Sequence, residues 1–155
     1  MTNSFKDLKI AQLDELLAPF RSAASVARPA SGWIRAVREA LGMSADQLAK
    51  RVGLRRTTIV TLESSEARHA ITLERLERLA RAMGCRLVYG LVPENAASLD
   101  ELLRQQALTQ AGNQLSTVSH TMKLEAQGLP PERERRQLER LAEELLAGSR
   151  RKLWQ

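Results

Sequence analysis

The sequence contains little of what a disulfide, a metal site or a membrane span requires. Its one cysteine, Cys85, excludes an intramolecular disulfide, and two histidines, His69 and His120, leave no ligand set for structural zinc. No apolar run approaches the length of a bilayer span, and the first residues resemble neither a secretory signal nor an anchor. We therefore expect a soluble, cytoplasmic protein without a metal or a membrane partner.

The residue patterns of common enzymes are also missing. The sequence shows no nucleophile beside a base, no paired carboxylates in a recognisable context and no glycine loop of the kind that cradles phosphate. Internal repeats and low-complexity tracts are absent as well. At 155 residues the chain has room for one ordinary domain, or for a small domain with a helical appendage. We expect a binding protein that is not an enzyme and needs no cofactor.

Positive charge is present in excess, and it is unevenly distributed. The net charge is +6, and residues 31–93 carry 11 basic against 6 acidic side chains. Residues 94–155 carry 9 of each and are neutral. This distribution indicates a basic functional module attached to a separate scaffold. On charge alone, nucleic acid and an ordinary basic surface explain the module equally well.

The spacing of apolar residues predicts a mainly helical chain. An amphipathic helix is expected over 5–18, ended by Pro19 and followed by a linker. Four short helices are then expected, separated by glycines and by a polar run at 64–70. Their predicted ranges are 33–41, 45–52, 56–63 and 73–83. After Pro93 the chain is predicted to be helical again, with a break at 128–131 and a last helix over 132–147.

Residues 85–92 break the helical period and are rich in strand-forming side chains. A single strand needs a partner for its backbone donors and acceptors, and no second strand-forming run exists in the sequence. The simplest partner is the same strand of a second subunit, so Leu87, Tyr89 and Leu91 are the predicted dimerisation residues. A helical interpretation of this run would remove the argument for a strand-mediated dimer.

Residues 45–62 carry the pattern of two helices joined by a tight turn. Ser44 can cap the first helix with Gln47 closing the capping box, and Gly53 supplies the left-handed backbone of the turn. Ala49 is small where the two helices cross. The expected shared core consists of Leu48, Val52, Leu54, Ile59 and Leu62. The face left open on the second helix carries Arg56, Thr57, Val60 and Thr61. In helix-turn-helix proteins such a face enters the major groove.

With these features, residues 33–83 resemble the Cro-like, phage-repressor helix-turn-helix family. The resemblance implies a lambda-repressor-like domain that binds double-stranded DNA. The base-reading positions of the family fall on Arg56, Thr57 and Thr61. Its phosphate-contacting positions fall on Ser44, Ala45, Arg55 and Thr58. Arg56 could pair bidentately with guanine. Arg55 departs from the family pattern, because a capping Ser or Thr is typical at that position.

Further segments extend a resemblance over nearly the whole chain, at 32–35, 40–43, 85–93, 119–125 and 153–154. Together they are similar to the mobile mystery protein A family, whose members are bacterial and are encoded on mobile elements beside a Fic-domain protein. This resemblance implies an autoregulating, antitoxin-like repressor that acts as a homodimer on a palindromic operator. The alternative is a protein-interaction module that neutralises a Fic-domain toxin, with DNA binding secondary.

One detail bears on that alternative. Thr121 and Glu125 resemble the inhibitory Ser/Thr-x-x-x-Glu motif of Fic regulators, although Ala126 stands where Gly or Asn is typical.

The complete prediction is a mainly α fold in three parts. Residues 1–30 form a helical arm and linker, 31–93 a helix-turn-helix DNA-binding domain with a dimerising β-strand, and 94–155 a helical region for dimerisation or interaction.

Overall fold

The computed structural model describes residues 3–122 and 131–155 of the chain. These residues form α-helices and a closing 3₁₀ helix, in the order α1 (Asn3–Ala23), α2 (Trp33–Ala40), α3 (Ala45–Val52), α4 (Arg56–Ala67), α5 (Leu73–Ala82), α6 (Leu99–Met122), α7 (Pro131–Ala147) and 3₁₀ (Arg150–Trp154). The chain forms two compact units, one of residues 22–90 and one of residues 1–21 with 91–155. Glu125 and residues 128–130 of the predicted break lie outside the described residues, while Pro131 begins α7.

The 22–90 unit consists of the four short helices α2 to α5 packed around one apolar core. These helices have only 8 to 12 residues, so their stability depends on burying their apolar faces against one another. Each helix contributes a side chain that is almost completely buried, and these are Ile34, Leu48, Ile59 and Leu79. Ala49 is also buried, where its small side chain lets α3 approach its neighbours. Of the predicted core of the helical pair, Leu48, Val52, Ile59 and Leu62 are buried, and Leu54 is partly buried against them.

The turn between α3 and α4 has the backbone that the sequence predicts. Gly53 follows α3 with φ 68° and ψ 34°, the left-handed conformation that residues with a Cβ avoid. The N–H of Leu54 then donates to the carbonyl of Ala49 at 2.9 Å, which closes the helix end. This turn directs the chain into α4 after only three residues.

Two predicted helix ends are wrong. The polar run after residue 63 continues α4 to Ala67, because the hydroxyls of Ser64 and Ser65 donate to carbonyls one turn earlier and Glu66 is buried. The first helix continues through Pro19 to Ala23. A proline inside a helix removes one backbone hydrogen bond and crowds the carbonyl four residues earlier, which is why the sequence indicated an end at this position.

The β-strand predicted over 85–92 is also wrong, and no strand occurs in the described part of the chain. The helix α5 ends near Gly84, and the N–H of Cys85 donates to the carbonyl of Ala80. Beyond Cys85 the segment has neither helical nor ladder hydrogen bonds. The physical reason is that a strand needs a second strand to pair with its backbone donors and acceptors. No other described segment of the chain forms one.

The second unit contains α1, α6, α7 and the 3₁₀ helix. Its core consists of Leu103, Ala107, Ala111, Ala142 and Leu153, with Ile10 of α1 packed against it. The alanines allow α6 and α7 to approach closely, and Leu153 is completely buried next to them. Within the described ranges, none of the helices has the length and apolar character of a membrane span.

A carboxylate of the N-terminal helix caps the start of α6 in this unit. Asp14 of α1 accepts hydrogen bonds from the backbone N–H groups of Leu99 and Asp100, at 2.7 Å and 3.2 Å. These two groups belong to the first turn of α6, which has no intrahelical acceptor for them. The predicted division placed residues 1–30 in an arm of their own, whereas residues 1–21 pack with 91–155 in the structure.

Candidate nucleic-acid interface

The helix α4, the second of the predicted helix-turn-helix pair, has one buried face and one open face. Ile59, Leu62, Glu63 and Glu66 are buried. The residues left exposed on the other side are Arg56, Thr57, Val60, Thr61 and Ser64. All three predicted base-reading residues therefore lie on the open face, on a helix whose diameter suits the major groove.

The start of α3 offers backbone donors beside that face. The side chain of Ser44 accepts from the N–H of Gln47 at 3.1 Å, and the Gln47 side chain accepts from the N–H of Ser44 at 2.7 Å. The predicted capping box is thus confirmed. Ala45 is the first residue of α3, so its N–H belongs to the first helical turn, where anions such as phosphate bind favourably.

Arg55 and Thr58 flank the first turn of α4. Arg55 occupies the N-cap position with extended backbone and makes no side-chain cap, so its exposed guanidinium is available to another partner. Thr58 is half-buried, and its backbone N–H donates to the carbonyl of Arg55 at 3.0 Å. The predicted phosphate-contacting residues therefore lie at the starts of α3 and α4.

Several arginines of this unit have no side-chain hydrogen bond or ion pair with any described residue. They are Arg55, Arg56, Arg68, Arg75 and Arg86. Three of them lie at the ends of α4: Arg55 is its N-cap residue, Arg56 is its first residue, and Arg68 follows its last residue. Guanidinium groups without an internal acceptor can pair with phosphate or base edges without first breaking an ion pair.

The charge is separated between the two units. Residues 22–90 carry 12 basic and 6 acidic side chains, while residues 1–21 and 91–155 together carry 12 of each. The whole net charge of +6 therefore belongs to the unit with the helix-turn-helix. A concentration of charge of this kind attracts a polyanion to one part of the molecule.

A buried ion pair holds α4 against α2. The Nε and Nη2 atoms of Arg38 donate to the two oxygens of Glu63 at 2.6 Å and 3.2 Å, and Nη1 donates to the carbonyl of Met43 at 2.8 Å. The hydrogen bond to Glu63 raises the pKa of Arg38 above its ordinary value, so the guanidinium stays charged. This forked contact fixes the rotation of α4 and hence the direction of its open face.

The far end of α4 is held by two further contacts. The carboxylate of Glu66 accepts from the N–H groups of Trp33 and Ile34 at 2.7 Å and 2.9 Å, and so caps α2. Arg28 donates to the carbonyls of Glu66 and Ala67 at 2.6 Å and 2.9 Å. A cation at a helix C-terminus and an anion at a helix N-terminus are both favourable.

The predicted dimerisation residues are not brought together into a ladder. Leu87 is half-buried and lines an apolar groove of about 440 Å³ with Trp33, Val37 and other apolar side chains. Tyr89 is 69% exposed and Leu91 is 85% exposed. Large apolar side chains at this exposure are available to a partner surface.

Residues 34–89 match a protein-family model described as a helix-turn-helix. No curated protein and no solved structure matches the chain. The match leaves residues 1–33 and 90–155 uncovered, and it does not reach the narrower mobile mystery protein A family. The 22–90 unit thus contains a helix-turn-helix domain, which supports a DNA-binding regulator.

The residues that hold α4 were not predicted from the sequence. Arg38 lies one helical turn after Ile34, and Glu63 lies one turn after Ile59, so both charges occupy positions on core-facing stripes. A charged residue at a core position is rarely buried unless it is paired. That placement is the signal from which the Arg38–Glu63 pair could have been found.

Proposed function

We propose that this protein is a transcriptional repressor that binds a palindromic operator as a homodimer and regulates its own gene. Each subunit inserts the open face of α4 into the major groove, where Arg56, Thr57 and Thr61 contact bases. Ser44, Ala45, Arg55 and Thr58 contact the phosphates on either side. A protein of this kind acts in the cytoplasm of a bacterial cell.

The observation that supports the proposal most strongly is the open face of α4. Arg56 on this face has no side-chain acceptor among the described residues, although Arg38 and Arg78 of the same unit donate to oxygens within it. The opposite face is held by a buried ion pair, so the open face has a fixed direction. A rigid helix with unpaired cations is suited to sequence-dependent binding in the groove.

The homodimer is supported by the apolar surface around the segment after α5. Val88, Tyr89 and Leu91 are more than half exposed, and their backbone makes no ladder in a single subunit. A second copy packed on these side chains would cover them and the groove beside them. Two recognition helices would then be held at a constant spacing, as a palindromic operator requires.

The test compares Arg56→Ala with Arg55→Ala by selection of duplexes from a random library. Arg56→Ala should lose base preference at one position of each half-site, because a bidentate contact to guanine is worth about 1–3 kcal/mol of discrimination. Arg55→Ala should weaken binding to all duplexes alike, because a phosphate contact carries no sequence information.

Arg81→Ala is a matched control, since Arg81 is an exposed arginine of the same unit that pairs with Glu77 on α5. This variant should keep both the affinity and the selected sequence. Uniform loss of affinity in Arg55→Ala and Arg56→Ala would show that the roles assigned to these residues are incorrect.

The antitoxin role and the Fic-domain partner remain predictions from the family resemblance. Neither the comparisons with known proteins nor the contacts among the described residues favour a toxin-neutralising module over a DNA-binding regulator. Co-purification with the product of a neighbouring gene would be the direct observation in its favour.

A further inference from the structure

One apolar side chain interrupts the polar open face of the recognition helix. Val60 is 48% exposed and lies one turn after Arg56 and Thr57, between residues whose side chains are polar. The core of the unit is complete without it, since Ile59 and Leu62 fill the buried face of α4. Val60 is also a β-branched residue, which is not favoured in an exposed helix. Neither packing nor helix propensity explains its position.

The neighbouring threonine has no hydrogen-bond donor left for a base. The hydroxyl of Thr61 donates to the carbonyl of Thr57 at 2.9 Å, and a threonine hydroxyl has a single proton. Ser64, one turn after Val60, likewise donates to the carbonyl of Val60 at 3.0 Å. The middle of the open face therefore presents methyl groups and hydroxyl acceptors rather than donors.

We propose that Val60 is a specificity-determining residue that contacts the 5-methyl group of a thymine in the major groove. The thymine methyl is the one apolar group on a base edge in that groove, and apolar side chains contact it in protein–DNA complexes. Cytosine and the purines lack this methyl, so a valine at this position discriminates against them. The inference deepens the proposed function and rests on it.

The position of Val60 also predicts where this thymine lies in the operator. Four residues of an α-helix rise by about 6 Å, and successive base pairs are separated by about 3.4 Å. Val60 and Arg56 are four residues apart on one side of the helix. The thymine should therefore lie within about two base pairs of the guanine that Arg56 contacts.

The experiment removes the methyl group from the DNA and the side chain from the protein separately. The probe is the duplex that the full-length protein enriches from a random library, and each of its thymines is replaced in turn by deoxyuridine. Fluorescence anisotropy then gives the dissociation constants of the wild-type protein and of Val60→Ala. Replacement by uracil keeps the base pairing and removes only the methyl group.

One thymine in each half-site should be sensitive to this replacement. The wild-type protein should bind the uracil duplex about fourfold more weakly for each methyl group removed, the factor that burial of one methylene-sized group gives. Val60→Ala should bind the thymine duplex about fourfold more weakly than the wild-type protein does. The variant should bind the uracil duplex as well as it binds the thymine duplex, because it has no valine methyl groups to contact the thymine methyl. Val60→Thr, which keeps the shape and one methyl group, should fall between the two.

Leu41→Ala is the control, because Leu41 is an exposed apolar residue of the same unit that lies outside α3, α4 and the groove lined by Leu87. It should keep the wild-type sensitivity to uracil. If Val60→Ala remains as sensitive to uracil as the wild-type protein on the enriched duplex, the contact between Val60 and thymine is incorrect. The proposed function would be unaffected by that result. A library from which no duplex is enriched would overturn the proposed function and this inference with it.

Discussion

Individual charged residues in the 22–90 unit have two different tasks. Arg38, Glu63 and Glu66 are buried and direct α4, while the side chains of Arg55 and Arg56 are exposed at its start with no partner among the described residues. A buried pair of this kind adds little net stability over an apolar pair, but removing one partner leaves an isolated charge in the core. The buried charges are therefore expected to matter for orientation as much as for stability.

Replacing Arg38 by alanine should destabilise the unit strongly. Glu63 would be left in the core without its ion-pair partner, and the free energy of unfolding should fall by about 3–5 kcal/mol. Urea unfolding of the full chain measures it, and a Trp154→Phe background leaves Trp33 as the fluorescent reporter within this unit.

The control for that measurement is Arg35→Ala. Arg35 makes an exposed ion pair with Glu39 one turn away on the same helix, and pairs of this kind contribute little. Equal destabilisation by the two variants would contradict the distinct role of the buried pair.

Among individual residues, the sequence predicted contacts between near neighbours in the chain and missed contacts between residues far apart in it. The capping box of Ser44 and Gln47 and the left-handed turn at Gly53 depend on neighbours a few residues apart, and both are present. The pair of Arg38 with Glu63 joins residues 25 positions apart. Side-chain partners at that separation depend on how helices pack, which a hydropathy pattern does not specify.

Helices in this protein are completed by side chains from other helices. Glu66 of α4 caps α2, and Asp14 of α1 caps α6. Each carboxylate satisfies two backbone N–H groups that a helix start leaves without acceptors. These contacts give the packing of one helix on another a directional component that apolar contacts lack.

Asp14→Ala should therefore loosen the attachment of α1 to α6. Two charge-assisted hydrogen bonds would be removed, and the free energy of unfolding of this unit should fall by about 1–3 kcal/mol. The measurement is urea unfolding in a Trp33→Phe background, which leaves Trp154 of the 3₁₀ helix as the reporter.

Glu15→Ala serves as the control, because Glu15 is the next residue along α1 and is exposed. It should change the stability very little. If Asp14→Ala were as stable as Glu15→Ala, the capping contact would have no energetic importance.

The helices themselves were predictable, and their ends were less so. The four short helices of the 22–90 unit begin at the predicted residues, since capping and glycine signals mark them. The end of α4 was missed because serines, which favour loops in a sequence, here return their hydroxyls to the helix backbone. The prediction of a strand over 85–92 failed because β-propensity describes how a residue fits a sheet, and one subunit provides no sheet.

Across the whole molecule, charge and apolar surface are divided between two units. The 22–90 unit carries the entire net charge and the helix-turn-helix, and the other unit is neutral with a core rich in alanine. The charge division was visible in the sequence. The packing of residues 1–21 with 91–155 was not, because it brings together segments separated by more than 80 residues. No local pattern encodes a contact of that length.

This division predicts that the positive charge of the 22–90 unit provides most of the affinity for DNA. The preference for one DNA sequence should come from the open face of α4. Phosphate contacts release counterions, so affinity should fall steeply as salt is raised. Base contacts through α4 should add a preference that survives at higher salt. The two contributions can be separated in a single titration series.

The most direct test is fluorescence anisotropy of the purified protein with the DNA upstream of its own gene and with random DNA, across a salt series. We expect two subunits for each upstream duplex, a clear preference for that duplex, and affinity that falls by about tenfold or more between 50 and 200 mM salt. Equal and weak binding to both duplexes would contradict the account.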